Sequence, residues 1–133
     1  MNVSPEVVEF RSKSVFVICW AGSDRSKYIS EELNNRGYFA THGGVLEGQN
    51  YVTKQDLANV GKIIFSSVNE KEQFDKDRTL KEFVKQNGIQ TFVMNITESD
   101  KDRAHNTGEI NDLKSEISAH LDSLGFRCIS PPR

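Results

Sequence analysis

Val15-Phe16-Val17-Ile18 is an uninterrupted apolar run in which three of four residues are β-branched, followed by a short stretch of small and polar residues and then a helical pattern. A run that short, with no polar alternation, fits a strand buried on both faces, and such a strand needs a parallel sheet with helices over each side. The helix is expected to begin near Asp24 to Ser26, to turn Ile29 and Leu33 toward the sheet, and to stop at Gly37. One strand–loop–helix unit of this kind commits the chain to an α/β fold, and the same alternation recurs downstream. Tyr38 to Thr41, Lys62 to Ser66 and Gln90 to Ile96 read as strands, with His42-Gly43-Gly44 as a flexible turn. Thr53-x-x-Asp56, Asn69-x-x-Glu72 and Thr79-x-x-Glu82 carry helix-start signatures. Ile110, Leu113, Ile117, Leu121 and Leu124 share one face of a last helix that Gly125 ends. The expected architecture is one α/β domain, a four-stranded parallel sheet in the order 2-1-3-4 flanked by helices. Residues 1–13 are a loose lead-in with a turn of helix around Glu6 to Phe10, residues 14–127 the domain, and residues 128–133 a tail that Pro131-Pro132 keeps irregular.

Composition narrows the range of functions. A chain of 133 residues with a formal net charge of −2 lacks the basic surface of a nucleic-acid binder. No apolar stretch reaches membrane-spanning length, and Glu6 and Glu9 occupy the place of a signal-peptide core, so a cytoplasmic protein is expected. Cys19 and Cys128 make neither a disulfide framework nor a zinc pattern, and no His or carboxylate grouping has metal-ligand spacing. No cofactor and no metal are called for, and a monomer is the expected state. His42, His105 and His120 read as polar surface residues.

The chemistry concentrates after the first strand. A loop wrapped onto a helix N-terminus turns several backbone N–H groups, and the positive end of the helix dipole, toward one point. Cys19 is expected at the rim of that point, where such donors would favour a thiolate and so a nucleophile. Arg25 closes the loop with a planar fork of donors suited to two phosphate oxygens. Ala21, Gly22, Ser23 and Asp24 supply the loop backbone, and Ser26 begins the helix. Trp20 is either the wall of an aromatic substrate pocket or a cover for the loop. Cys128 reads as a tail residue with no role, or as a resolving partner for Cys19.

Cys19-x5-Arg25-Ser26, placed directly after the first strand, resembles the signature of the low-molecular-weight protein tyrosine phosphatase family. The resemblance extends through Tyr38-Phe39-Ala40-Thr41-His42-Gly43-Gly44, Val52-Thr53-Lys54-Gln55-Asp56-Leu57 and Gly61-Lys62-Ile63-Ile64-Phe65, which hold the places of the family's second strand, a helix start and its third strand. It implies a phosphomonoester hydrolase acting on a phosphorylated protein or small phosphomonoester through a phosphocysteine. Cys19 would be the nucleophile and Arg25 the clamp, with Trp20, Ala21, Gly22, Ser23, Asp24 and Ser26 around the phosphate. Ser26 would donate to the sulfur. The family's acid follows its fourth strand, where this chain has Ile96-Thr97-Glu98-Ser99-Asp100-Lys101-Asp102 and no proline. Asp100 is the candidate acid ahead of Glu98 and Asp102; alternatively all three are solvated loop carboxylates, leaving a phosphate-binding pseudo-phosphatase. The family's Met-Asp after the third strand is replaced by Ser66-Ser67-Val68. Cys19-x-Ala21-Gly22 also resembles the loop of the IIB component of sugar phosphotransferase systems, a phosphocysteine relay, although such a relay has little need of Arg25. A thiol-type arsenate reductase would require two further cysteines after the loop, and only Cys128 follows.

Overall fold

The structure, a computed structural model, describes residues 10–20, 25–46, 48, 50–96 and 110–129. Its elements run β1 (Ser14–Cys19), α1 (Arg25–Asn35), β2 (Phe39–Gly44), α2 (Lys54–Leu57), β3 (Lys62–Phe65), α3 (Val68–Asp75), α4 (Arg78–Gln86), β4 (Gln90–Val93) and α5 (Ile110–Leu124). The four strands form one sheet in the order β2-β1-β3-β4, and each neighbouring pair is parallel. The α/β architecture and the 2-1-3-4 order therefore stand as the alternation of strand and helix patterns predicts.

Both faces of the sheet are covered, and β1 divides its side chains between them. Val15 and Val17 join Ile64 in a core completed by Ile29 and Leu33 of α1 and Leu113, Ile117 and Leu121 of α5. Phe16 and Ile18 join Ile63 and Phe65 in a second core completed by Leu57 of α2, Phe74 of α3 and Leu80 of α4. Every residue of β1 is buried, so the unbroken apolar run reflects a central strand with no wet side. Among the described residues no helix is long and apolar enough to cross a membrane.

Several element boundaries differ from the sequence reading, each for a local reason. The second strand begins at Phe39 and runs on through His42, Gly43 and Gly44 instead of turning there. Gly43 serves close approach: a Cβ there would lie 2.7 Å from the Phe16 ring and 3.1 Å from the Asn50 carbonyl. The helical turn of the lead-in includes residues 10–13, up to the start of β1. Thr53 and Asp56 form the expected capping box on α2. By contrast α3 begins after Ser67, not Asn69, and α4 is capped by Asp77, whose side chain accepts from Leu80 N, so Thr79-x-x-Glu82 is not its cap. An Asp in extended conformation one residue before the helix outcompetes a Thr already inside it. The ladder assignment of β4 ends at Val93, yet Met94 N donates to Phe65 O at 2.8 Å and Ile96 N to Ser66 O at 2.8 Å, so the chain continues alongside β3 to residue 96.

At the far end of the sheet Arg36 joins α1 to the C-terminal segment. Its guanidinium, 6% exposed, reaches Glu32 at 2.8 Å, Asp122 at 2.7 Å and the Phe126 carbonyl at 2.7 Å. Burial opposes this charge, but hydrogen bonds and attraction from Glu32 and Asp122 outweigh it and hold the proton more tightly than in water. Ile129, assigned from sequence to the tail, donates to Arg36 O at 2.8 Å, so the ordered chain extends at least that far.

Candidate functional site

Cys19 is the last residue of β1, paired in register with Gly44 of β2. The strand's position in the middle of a parallel sheet puts the thiol at the carboxyl edge, where α/β sheets hold their ligands. Cys19 is 2% exposed, and its Sγ lies 3.2 Å from Ser26 Oγ, to which the thiol donates. Ser26 belongs to the first turn of α1, which carries no acidic residue. The positive end of that helix is therefore not neutralised by a side chain of its own first turn.

Arg25, the first residue of α1, is buried with Ser26. Its Nη1 donates to Glu70 Oε1 at 2.8 Å, to the Ile96 carbonyl at 2.9 Å and to Ser66 Oγ at 3.3 Å. Both charged side chains are nearly inaccessible, at 3% for Arg25 and 2% for Glu70. The second oxygen of Glu70 accepts from the Ser67 hydroxyl, which is why Ser67 makes no side-chain cap on α3. Three elements thus converge on one nitrogen of the guanidinium: the end of β3, the first turn of α3 and the continuation of β4. Bonding through Nη1 holds the guanidinium in place at the start of α1.

On the other side of the thiol, His42 of β2 places Nδ1 3.3 Å from Ser26 Oγ. The ring is exposed, as expected of a surface histidine, but one of its nitrogens reaches the site. Trp20 is half-buried, packs against the Phe16 and Ile18 core, and lines a groove of about 450 Å³ with Asn69, Glu70, Glu72, Gln73 and Lys76. Its carbonyl accepts from Val45 N at 2.9 Å and Leu46 N at 3.0 Å. The residue thus packs on the core with one side and lines the groove with another.

Of the residues singled out by sequence, Cys19, Arg25 and Ser26 come together, with Trp20 adjacent. Ala21, Gly22, Ser23, Asp24, Asp100, Glu98 and Asp102 lie outside the described residues. Ile96, from which the segment bearing Asp100 departs, is one hydrogen bond from Arg25. Cys128 is exposed and follows Arg127, whose carbonyl accepts from Tyr38 just before β2, at the sheet edge opposite Cys19. At about 3.3 Å per strand residue the two sulfurs are roughly 20 Å apart, far beyond disulfide reach, so Cys128 is not positioned to resolve Cys19. Among the described residues no group of His, Cys, Asp or Glu could hold a metal ion.

Glu70, Ser66 and His42 were not readable as site residues one at a time. The signal that could have found Glu70 is topological: β3 neighbours β1, so the polar Ser66-Ser67 and an acid one turn into the next helix come near the start of the helix that follows β1. An α/β domain with a cysteine at the carboxyl end of its central strand and an anchored arginine on the following helix is the class these features define. Comparison with protein-family models, with curated proteins and with solved structures gives no match to this chain.

Proposed function

We propose that the protein is a cysteine-dependent phosphomonoester hydrolase, of the low-molecular-weight protein tyrosine phosphatase type, that works through a phosphocysteine. The observation that carries this reading is the Cys19–Ser26 hydrogen bond at the N-terminus of α1, with Arg25 fixed in the same turn. In the proposed reaction the Cys19 thiolate attacks phosphorus, a P–S bond forms and the P–O bond to the leaving group breaks. Asp100 gives that leaving oxygen its proton. The loop amides of residues 21–24 and the guanidinium of Arg25 hold the equatorial oxygens, and Trp20 lies beside the departing group. Water, deprotonated by the same carboxylate, then attacks phosphorus, the P–S bond breaks, and Ser26 donates to the departing sulfur. A thiolate catalyst works in a reducing compartment, and we place the protein in the cytoplasm as a monomer acting on a phosphorylated protein or small phosphomonoester.

Turnover of p-nitrophenyl phosphate by the wild type and by Cys19→Ser tests the reading. The expected result is activity that the substitution abolishes; equal rates in the two would refute it. A phosphocysteine that forms and does not hydrolyse would instead assign a phosphate relay.

A further inference from the structure

We infer that His42 is a positioning residue that sets the direction of the Ser26 hydroxyl and thereby supports the anionic sulfur of Cys19. In the context of the proposed phosphatase reaction this names a further part of the same site. The chain of groups is short and direct: Cys19 Sγ to Ser26 Oγ at 3.2 Å, and Ser26 Oγ to His42 Nδ1 at 3.3 Å. Its inner end is buried, with Cys19 at 2% and Ser26 at 0% exposure, and its outer end is an imidazole open to water.

A hydroxyl donates once and can accept twice, and the buried Ser26 O–H is used within this chain of groups when its two bonds run in the same sense. With Cys19 as the thiol, S–H donates to Oγ and the Ser26 O–H donates to a bare Nδ1. With Cys19 as the thiolate, the Ser26 O–H donates to sulfur and Oγ accepts from Nδ1–H. Passing between the two breaks the S–H bond, forms a new O–H bond on Ser26 as that residue hands its own proton to Nδ1, and leaves an imidazolium. The imidazolium returns to neutrality by giving its Nε2 proton to water. One proton leaves the sulfur, one reaches solvent, and the histidine ends as the tautomer that keeps the serine proton pointed at the anion. The same arrangement favours sulfur as a leaving group when the P–S bond breaks.

The position explains why this works from β2. His42 lies one residue before Gly43, whose missing side chain lets the strand pass the Phe16 ring, and two before Gly44, the register partner of Cys19. The strand that reads as a flexible turn in the sequence is what brings the imidazole to the serine.

The test compares wild type with His42→Ala, His42→Asn and His42→Gln. An asparagine amide nitrogen occupies the place of Nδ1, whereas a glutamine amide occupies that of Nε2. The first readout is the rate at which iodoacetamide modifies Cys19 at neutral pH, measured by peptide mass spectrometry with exposed Cys128 as internal reference. His42→Ala is expected to slow Cys19 by about fivefold, the size of one ordinary hydrogen bond, with Asn restoring the rate and Gln failing to. The second readout is rapid-quench turnover of p-nitrophenyl phosphate, where His42→Ala should accumulate more phosphocysteine than wild type because breakdown slows more than formation. Unchanged alkylation in His42→Ala, or equal behaviour of Asn and Gln, overturns the inference. If alkylation follows the expected order while no variant, wild type included, turns over the ester, the phosphatase reading falls and the hydrogen-bonded chain stands.

Discussion

The Arg25–Glu70 pair offers the sharpest quantitative test, because both charges are almost wholly out of water. Removing one partner of a buried ion pair leaves the other uncompensated, at a cost of about 3–5 kcal/mol. Arg25→Met would also strip a donor from the Ile96 carbonyl and the Ser66 hydroxyl. Glu70→Leu would take the carboxylate from the buried guanidinium and release the Ser67 hydroxyl. Against a domain stability of about 5–15 kcal/mol, either change is large. At this chain length it corresponds to a fall in midpoint on the order of 10 °C. The double variant removes both charges, and apolar replacement of a whole buried pair is often neutral, so its cost should fall short of the sum of the singles by at least about 2 kcal/mol. Urea unfolding followed by fluorescence measures all four corners of this cycle, since Trp20 is the chain's one tryptophan and sits beside the site. Additivity to within about 0.5 kcal/mol would refute the pairing.

Other consequences are equally direct. Arg36→Lys should destabilise by about 2–4 kcal/mol in chemical denaturation, because a compact ammonium cannot span the acceptors that three guanidinium nitrogens reach at Glu32, Asp122, the Phe126 carbonyl and Ser118. Burial raises the Tyr38 phenol above its ordinary value of 10.0, with Arg36 pulling it down and Cys128 adding to the rise. The native state then holds this proton more tightly than the unfolded chain, so the contribution to stability is complete below about pH 10 and is lost as pH rises through the native value. Urea midpoints should drop more steeply above pH 10 in wild type than in Tyr38→Phe, which at neutral pH loses about 1 kcal/mol with its bond to the Arg127 carbonyl. Trp20→Ala should raise KM for an aryl phosphate several-fold more than for an alkyl phosphate; equal losses would restrict Trp20 to covering the core. Gly61→Ala should lower the thermal midpoint markedly, since the added methyl would overlap the Arg11 carbonyl carbon and oxygen.

Much of the fold is written in local pattern. The apolar run of β1 announced a strand without a solvent face, and α5 showed its buried stripe at helical spacing, because both are decided by burial that each segment carries on its own. The boundary at His42-Gly43-Gly44 was hidden because glycine signals a turn and a close contact alike, and only the position of the Phe16 ring distinguishes them. Asp77 is hidden for a similar reason: several residues around it can cap, and the geometry of the preceding turn chooses. Of the site, Cys19, Arg25 and Ser26 were legible because one strand–loop–helix unit holds all three. Glu70 and His42 are not, since each meets the first turn of α1 from an element on or after a neighbouring strand, and that adjacency exists only once the sheet has formed.

The guanidinium of Arg25 rests on a carbonyl that the ribosome delivers late, that of Ile96. A chain ending before that residue has Cys19, α1 and β4 but lacks the carbonyl that anchors the guanidinium. The anchoring of Arg25 is therefore complete only once β3, the first turn of α3 and the segment that continues β4 have all come together.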